Sequence, residues 1–248
     1  MSGESIQDWL KEVGLREVRS RQGAERRQLT VMFCDLVSST ALSKRLDPED
    51  LDELMRAYRK AGGDVVARYE GHMAQYLGDG LMVYFGWPRA HEDDAERCVR
   101  AALEIVEAVK TVSAVPPLAV RIGVATGTVV VGGASQAASD DAKLAVGEPP
   151  NLAARLQELA GPNEIVIAPT TRRLVGDTFD LTDLGGHELK GVAEPVRAWR
   201  ALRVSDAASR FEASHGEQLT PLVGREQEIG LLLDLEQIPI EFTHSPRA

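Results

Sequence analysis

The sequence predicts an α+β domain built on a ferredoxin-like split βαβ sheet, mainly antiparallel, with helices on one face. Apolar, β-favouring stretches alternate with stretches whose apolar residues recur at helical spacing, in the order strand, helix, two strands, helix, strand. The two consecutive strands are separated by Gly78-Asp79-Gly80, which is typical of a tight hairpin turn.

The first predicted strand, residues 29–34, leads into a single acid, Asp35. Ser38, Ser39 and Thr40 follow, and their hydroxyls are suited to accept hydrogen bonds from the free N–H groups of a first helical turn. A carboxylate at a strand end beside a helix start suits a site for a cation and a phosphate. An ordinary strand–turn–helix with a solvated acid explains the same residues, so this stretch alone does not decide between the two.

The remaining helices and strands are predicted from helix-capping residues, from the spacing of apolar residues and from residues that interrupt regular structure. Asp47 as cap and Pro48 in the first helical position predict a long helix, and the acids at 92–94 predict the start of a second one. Gly127 predicts a bend between two strands. The predicted strands are 71–76, 81–85, 118–125, 128–131, 165–167, 178–184 and 196–204, and the later helices are 151–160 and 170–175.

The chain is expected to have three parts. Residues 1–28 predict a short amphipathic helix followed by a basic connector, either a solvated lead-in or a docking segment. Residues 29–204 form the α+β domain. Residues 205–248 read as a polar linker and a further short segment.

Composition excludes several classes. The chain of 248 residues carries a formal net charge of −10, which disfavours nucleic acid as a partner. No apolar run approaches the roughly 20 residues needed to span a bilayer, and the first residues lack a signal pattern, so no membrane partner is expected. Cys34 and Cys98 lie in apolar surroundings and are interpreted as reduced core residues, which favours a cytoplasmic location.

Over residues 27–203 the sequence resembles the catalytic domain of class III nucleotidyl cyclases, the adenylyl and guanylyl cyclases. The resemblance rests on an ordered set of motifs rather than on any one of them. They are Phe33-Cys34-Asp35-Leu36-Val37-Ser38-Ser39-Thr40, Leu77-Gly78-Asp79-Gly80, Arg121-Ile122-Gly123-Val124-Ala125-Thr126-Gly127, the stretch 146–156 with Asn151 and Arg155, and Glu188-Leu189-Lys190-Gly191.

This resemblance implies a reaction and a set of site residues. In the family the ribose 3′-oxygen of ATP attacks the α-phosphate, which yields cyclic AMP and pyrophosphate with two Mg²⁺ or Mn²⁺ ions per site. The resemblance implies that Asp35 and Asp79 are the metal ligands. It implies that Asn151, which orients the ribose, and Arg155, which stabilises charge on the α-phosphate, are catalytic residues. The substrate-binding residues that it implies at the phosphates are Val37, Ser38, Ser39, Thr40 and Lys190.

Each of these residues also has a plainer interpretation. Asp79 suits a hairpin turn whether or not it binds metal. Asn151 and Arg155 share one face of a helix by their i, i+4 spacing, yet a surface amide and a solvated guanidinium show the same spacing. Lys190 precedes Gly191, as a turn lysine does.

Two positions depart from the adenylyl cyclase pattern. Gln75 stands where those enzymes commonly carry a base-reading lysine, and Leu144 stands where its partner Asp or Thr usually lies. An amide bonds a purine edge as donor or acceptor, whereas leucine cannot. The departure predicts a preference for ATP without strict exclusion of GTP.

The resemblance also implies a head-to-tail homodimer, with the metal acids from one subunit and the Asn151–Arg155 pair from the other. The alternative is a catalytically silent module that binds nucleotide or dimerises to regulate a fused ATPase. Residues 221–229 resemble the opening of such an ATPase domain, but no phosphate-binding loop follows them. The chain is therefore interpreted as a fragment of a longer protein, or as short relative to one.

Overall fold

Strand β1 (Glu25–Leu36) lies near the middle of the sheet and pairs along its whole length with β4 (Val120–Val131). The computed structural model describes residues 25–114, 117–131 and 145–205. The prediction of two strands that bend at Gly127 is wrong, because β4 is continuous and Gly127 pairs with Leu29 inside the ladder. A Cβ on Gly127 would lie 2.9 Å from the Pro149 ring, so this glycine permits a close approach rather than a turn.

The described sheet has eight strands in the order β2-β3-β1-β4-β6-β8-β7, with β5 paired to β4. Only the β4–β6 pair is parallel, so the predicted, mainly antiparallel α+β fold is confirmed. The other strands are β2 (His72–Leu77), β3 (Gly80–Phe85), β5 (Ala145–Val146), β6 (Glu164–Ile167), β7 (Phe179–His187) and β8 (Val196–Val204).

Helices connect and cover these strands. They are α1 (Ser39–Ser43), α2 (Pro48–Arg68), α3 (Asp94–Lys110), α4 (Glu148–Leu159) and α5 (Pro169–Val175). Helix α2 begins where the sequence predicts, with Asp47 as the N-cap residue and Pro48 in the first turn. In the described residues, no helix is both long and apolar enough to cross a membrane.

The helices cover both faces of the sheet, which corrects the expectation that they lie on one face. Helices α2 and α3 pack on the face that carries Met32 and Cys34. Helix α4 packs on the opposite face, against Leu29 and Val31. The reason lies in β1, whose alternating side chains are apolar on both sides, so that each face of the sheet has to be covered.

Helix α4 contacts β4 directly through backbone. A Cβ on Gly123 would lie 2.1 Å from the Ala153 carbonyl oxygen and 2.3 Å from the Gln157 nitrogen. No side chain fits between the two elements at this point, so Gly123 fixes how closely α4 approaches the sheet.

Several predicted segments fall outside the described residues. These are the N-terminal amphipathic helix, the segment after Ser205, and Leu144. The sheet begins at Glu25, so residues 25–28 belong to β1 rather than to the connector in which the sequence prediction placed them.

We expect Gly123→Ala to destabilise the domain by about 1–3 kcal/mol, because the new methyl group overpacks against the backbone of α4. Gly63→Ala in α2 is the matched control, since nothing lies within 4 Å of a Cβ at that position. It should stabilise the domain by about 0.5–1 kcal/mol, as alanine replaces glycine inside a helix. Urea unfolding of both variants measures the difference, and equal effects would contradict the close approach of α4.

Candidate active site

Asp35 lies at the end of β1 on the sheet face that α4 covers, half-buried and directly opposite Arg121 of β4. The Arg121 Nη2 atom donates a hydrogen bond to Asp35 Oδ2 at 3.0 Å. The Gln157 Nε2 atom of α4 donates a longer hydrogen bond, 3.4 Å, to the same oxygen. Two elements far apart in sequence therefore hold this carboxylate.

Asp79 lies in the turn of the β2–β3 hairpin, as the sequence predicts. Gly78 adopts a φ of 65°, which glycine tolerates without strain. The Arg59 Nη2 atom of α2 donates a hydrogen bond to the Gly78 carbonyl oxygen at 2.8 Å, and its guanidinium lies 5.4 Å from the Tyr76 ring centroid. The turn that presents Asp79 is thus attached to a long helix.

The two carboxylates are close enough to repel each other. Burial and the neighbouring charge of Asp79 raise the pKa of Asp35, while the Arg121 guanidinium opposes that rise. A divalent cation held by both carboxylates would relieve the repulsion.

The donor set fits Mg²⁺ or Mn²⁺. In the described residues, no three or more His, Cys, Asp or Glu side chains cluster as a self-sufficient metal site. Mg²⁺ is typically held by one or two carboxylates, with water and substrate phosphates as its remaining ligands. Asp35 and Asp79 therefore suit a cation that arrives with a nucleotide.

The turn after β1 places Ser39 and Thr40 beside Asp79. All three line a cavity of about 310 Å³. Ser38 precedes α1 in a left-handed conformation and makes no side-chain capping bond, so the expected hydroxyl cap is absent there. The Val37 amide donates to the Ala119 carbonyl oxygen at 2.8 Å, which removes one predicted phosphate donor.

A larger cavity of about 480 Å³ lies beside α2, between Leu46 and Val112. It contains none of the predicted site residues. The larger of these two cavities is therefore not the one that contains the residues expected at the site.

Asn151 and Arg155 face away from the sheet of their own chain. The buried side chains of α4 include Ala153, Leu156 and Gln157. At about 100° per residue, Asn151 and Arg155 lie on the opposite side of the helix. Asn151 is exposed, and Arg155 donates to Glu158 Oε1 at 2.5 Å.

Gln75 lies in β2 opposite Met82, which in turn pairs with Phe33. Directly opposed residues point to the same side of a sheet, so half-buried Gln75 shares the face of Asp35. Lys190 is exposed in the turn after β7, followed by Gly191 at a φ of 86°. The described residues of one chain do not bring Lys190 or the α4 pair to the carboxylates.

Sequence reasoning missed Arg121 and Gln157 as contacts of Asp35. Arg121 opens a quoted motif, and Gln157 follows Arg155 by two residues, but neither received a role. The Arg121 contact depends on the β1–β4 register, which only the folded sheet defines. Helical spacing is a signal for Gln157. It lies about 200° around α4 from Arg155, so it faces the sheet when Arg155 faces away from it.

The chain belongs to the adenylate and guanylate cyclase catalytic domain family, whose family model matches residues 22–201. The fold agrees with that assignment.

Two relatives and two solved structures illustrate the similarity. An uncharacterized protein of Rhizobium meliloti is 36% identical over 216 residues, 86% of this chain and 21% of that protein. Adenylate cyclase 1 of the same organism is 32% identical over 201 residues, 77% of this chain and 30% of that protein. The adenylyl cyclase CyaB from P. aeruginosa superimposes with a TM-score of 0.68 at 27% identity, covering 75% of this chain and 99% of that one. The guanylyl cyclase Cya2 superimposes with a TM-score of 0.66 at 30% identity, covering 75% of this chain and 98% of that one.

The chain spans about a fifth to a third of the length of these two relatives. The structural matches cover nearly all of the solved cyclase chains. The similarity is therefore that of a catalytic domain and covers only part of the two relatives.

The raised pKa of Asp35 predicts a pH-dependent penalty on folding. Below the ordinary aspartate pKa of about 3.9 the side chain is protonated in both states, so there is no penalty. As pH rises, the unfolded chain releases the proton first, and the folded state loses stability until its own pKa is passed. Without metal, Asp35→Asn should therefore gain stability relative to the wild type between pH 3.5 and pH 7.

Asp183→Asn is the control with the opposite sign. Hydrogen bonding from Arg197 lowers the pKa of Asp183, so its contribution is present at neutral pH and is lost as pH falls through the lowered pKa. Urea unfolding in EDTA at both pH values measures the two differences. A relative loss of stability for Asp35→Asn on going from pH 3.5 to pH 7 would contradict the analysis.

Proposed function

We propose that this chain is an adenylyl cyclase that converts ATP to cyclic AMP and pyrophosphate with two Mg²⁺ or Mn²⁺ ions per site. The observation that carries the proposal is the pair of repelling carboxylates, Asp35 and Asp79, of which Asp79 lines a cavity together with Ser39 and Thr40. The bound ions would lower the pKa of the ribose 3′-hydroxyl and neutralise the triphosphate. The buried free thiols of Cys34 and Cys98 support a cytoplasmic location.

The protein groups act on the reacting atoms of the nucleotide. The 3′-oxygen would lose its proton to solvent and bond to the α-phosphorus, while the bond from that phosphorus to the bridging β-phosphate oxygen breaks and pyrophosphate leaves. Asn151 would orient the ribose, and Arg155 would donate hydrogen bonds to the α-phosphate as its charge develops. Only the Nη1 atom of Arg155 bonds Glu158, which leaves its other N–H donors for a phosphate. Lys190 would contact the departing pyrophosphate.

A head-to-tail homodimer would complete the site. Asn151 and Arg155 project away from the sheet that presents Asp35, so the groups of one chain do not converge. In a second copy placed with its α4 over the carboxylates, the two halves would meet. Two equivalent sites would then form from two chains.

Relatives and structural neighbours support ATP as substrate without excluding GTP. Adenylate cyclase 1 and CyaB carry adenylyl names, whereas Cya2 is named a guanylyl cyclase. Gln75 shares the face of Asp35 and presents either an oxygen or an NH₂ group to a base. We propose a preference for ATP that is not strict.

Incubation of the purified chain with ATP and Mn²⁺ should yield cyclic AMP, measured by chromatography. Asp35→Ala should reduce the product to the level without protein, and Arg155→Ala should lower kcat by about 10²–10³-fold, as loss of a preorganised donor does. A wild type no more active than Asp35→Ala would overturn the proposal. Tight ATP binding by that inactive protein would favour the silent regulatory module instead.

Mixing Asp35→Ala with Arg155→Ala should restore activity. Each heterodimer would contain one site with an intact carboxylate pair from one chain and an intact Asn151–Arg155 pair from the other. Heterodimers isolated through two different affinity tags are assayed against each homodimer. Heterodimers that form but remain as inactive as the homodimers would contradict a shared site.

The ratio of kcat/KM for ATP to that for GTP should lie well below about 10⁴, which is the range of a fully hydrogen-bonded site. The reason is that the family resemblance aligns Leu144 with a base-reading position, where leucine would leave one purine edge without a polar partner. Gln75→Lys combined with Leu144→Asp should increase the ratio. A wild-type ratio above about 10⁴ would show that other residues read the base.

A further inference from the structure

Gln157 is a buried polar residue whose partner is a candidate metal ligand. Its exposed fraction is 8%. The other buried polar side chains in the described residues are Thr30, Thr126 and Thr171, which bond one another on the opposite side of the sheet. Burial of an amide is unfavourable unless it is hydrogen-bonded, so the contact with Asp35 accounts for the polar side chain at this position.

The backbone holds Gln157 in place for this contact. The Gln157 nitrogen lies where a side chain on Gly123 would be, so α4 cannot retreat or slide without losing its packing on β4. Arg121, two residues before Gly123, donates to the same oxygen of Asp35. Both nitrogen donors end on Oδ2, which leaves Oδ1 for a cation.

We propose that Gln157 is a positioning residue that orients Asp35 for the metal ion. The inference rests on the proposed function, in which Asp35 is a metal ligand. Outer-shell hydrogen bonds of this kind fix the orientation of a ligating carboxylate, and their loss typically weakens metal binding. Gln157 is neutral, so its removal changes orientation without changing the charge beside the metal, whereas a substitution of Arg121 changes both.

Gln157 lies on the same helix as Arg155, so α4 carries one residue that contacts Asp35 and one that is expected to act in the other site. Gln157 and Arg155 project from opposite sides of α4, one toward Asp35 and one away from the sheet. In the proposed dimer, Asp35 and Arg155 of one chain serve different sites. The effect of Gln157 should therefore appear in the site that receives Asp35 from its own chain.

The direct test measures Mn²⁺ binding without turnover. Free Mn²⁺ is followed by electron paramagnetic resonance, with 3′-deoxy-ATP as the nucleotide because it lacks the attacking hydroxyl. Gln157→Met, which keeps the size and removes the donor, should raise the Mn²⁺ dissociation constant by about 10-fold. Gln28→Met, an exposed position on the same strand as Asp35, should leave it unchanged. Gln157→Asn, which keeps the amide but shortens its reach, should behave like Gln157→Met and serves if that variant fails to fold.

The heterodimer separates positioning from a general effect on α4. Gln157→Met is placed either in the Arg155→Ala chain, which supplies Asp35, or in the Asp35→Ala chain, which supplies Arg155. Only the first should raise the Mn²⁺ concentration needed for half-maximal activity, by about 10-fold, with little change in kcat at saturating Mn²⁺. Equal effects from both placements, or none from either, would overturn the inference.

The outcomes also separate this inference from the proposed function. Weakened Mn²⁺ binding in Gln157→Met, without any cyclic product from the wild type, would uphold the positioning role and overturn the cyclase proposal. If the wild type produces cyclic AMP and Gln157→Met leaves the Mn²⁺ dissociation constant unchanged, the cyclase proposal would be upheld and the positioning role overturned. A wild type that does not bind Mn²⁺ with 3′-deoxy-ATP would overturn both.

Discussion

The pairing of β1 with β4 is the constraint on which the rest of the candidate site depends. Its register places Arg121 directly opposite Asp35 and sets Gly123 under α4. Backbone hydrogen bonds along twelve residues make that register hard to shift, since a slip by one residue would turn every apolar side chain to the other face. The positions of Asp35, its ion-pair partner and the helix above it are therefore determined together.

The cost of this arrangement is a pair of acids held close together. Burial and the charge of Asp79 both disfavour ionised Asp35, and Arg121 offsets only part of that effect. Such a site is less stable when empty than an ordinary surface turn, and it gains most from a divalent cation. This is the balance expected where a protein keeps a charged cluster for chemistry rather than for folding.

The two-sided sheet accounts for the separation of Asn151 and Arg155 from the carboxylates of their own chain. With α2 and α3 on one face and α4 on the other, the residues on the outer side of α4 have no partner surface in their own sheet. Asn151 and Arg155 occupy that outer side. An incomplete half-site on each chain is the physical basis for proposing that two copies act together.

Local sequence signals predict the helices and strands. The features that the sequence does not predict depend on contacts between residues far apart in the chain. Asp47-Pro48 marked the start of α2, and Gly78-Asp79-Gly80 marked the hairpin, because caps and turns depend on a few adjacent residues. Gly127 was misinterpreted as a bend because a glycine needed for close packing looks the same in sequence as one needed for a turn. The contacts of Arg121 and Gln157 with Asp35 join residues 86 and 122 positions apart. Helical spacing places Gln157 on the sheet side of α4, but no local pattern identifies Asp35 as the partner of either residue. The metal, phosphate and base roles of the site residues remain predictions.

The most direct test of a shared metal site is a crystal structure of the full chain with Mn²⁺ and 3′-deoxy-ATP, in which anomalous scattering locates the manganese. The account predicts manganese between Asp35 and Asp79 of one copy, with Asn151 and Arg155 of a second copy on the same nucleotide. Manganese away from this carboxylate pair, or a nucleotide bound within a single copy, would contradict it.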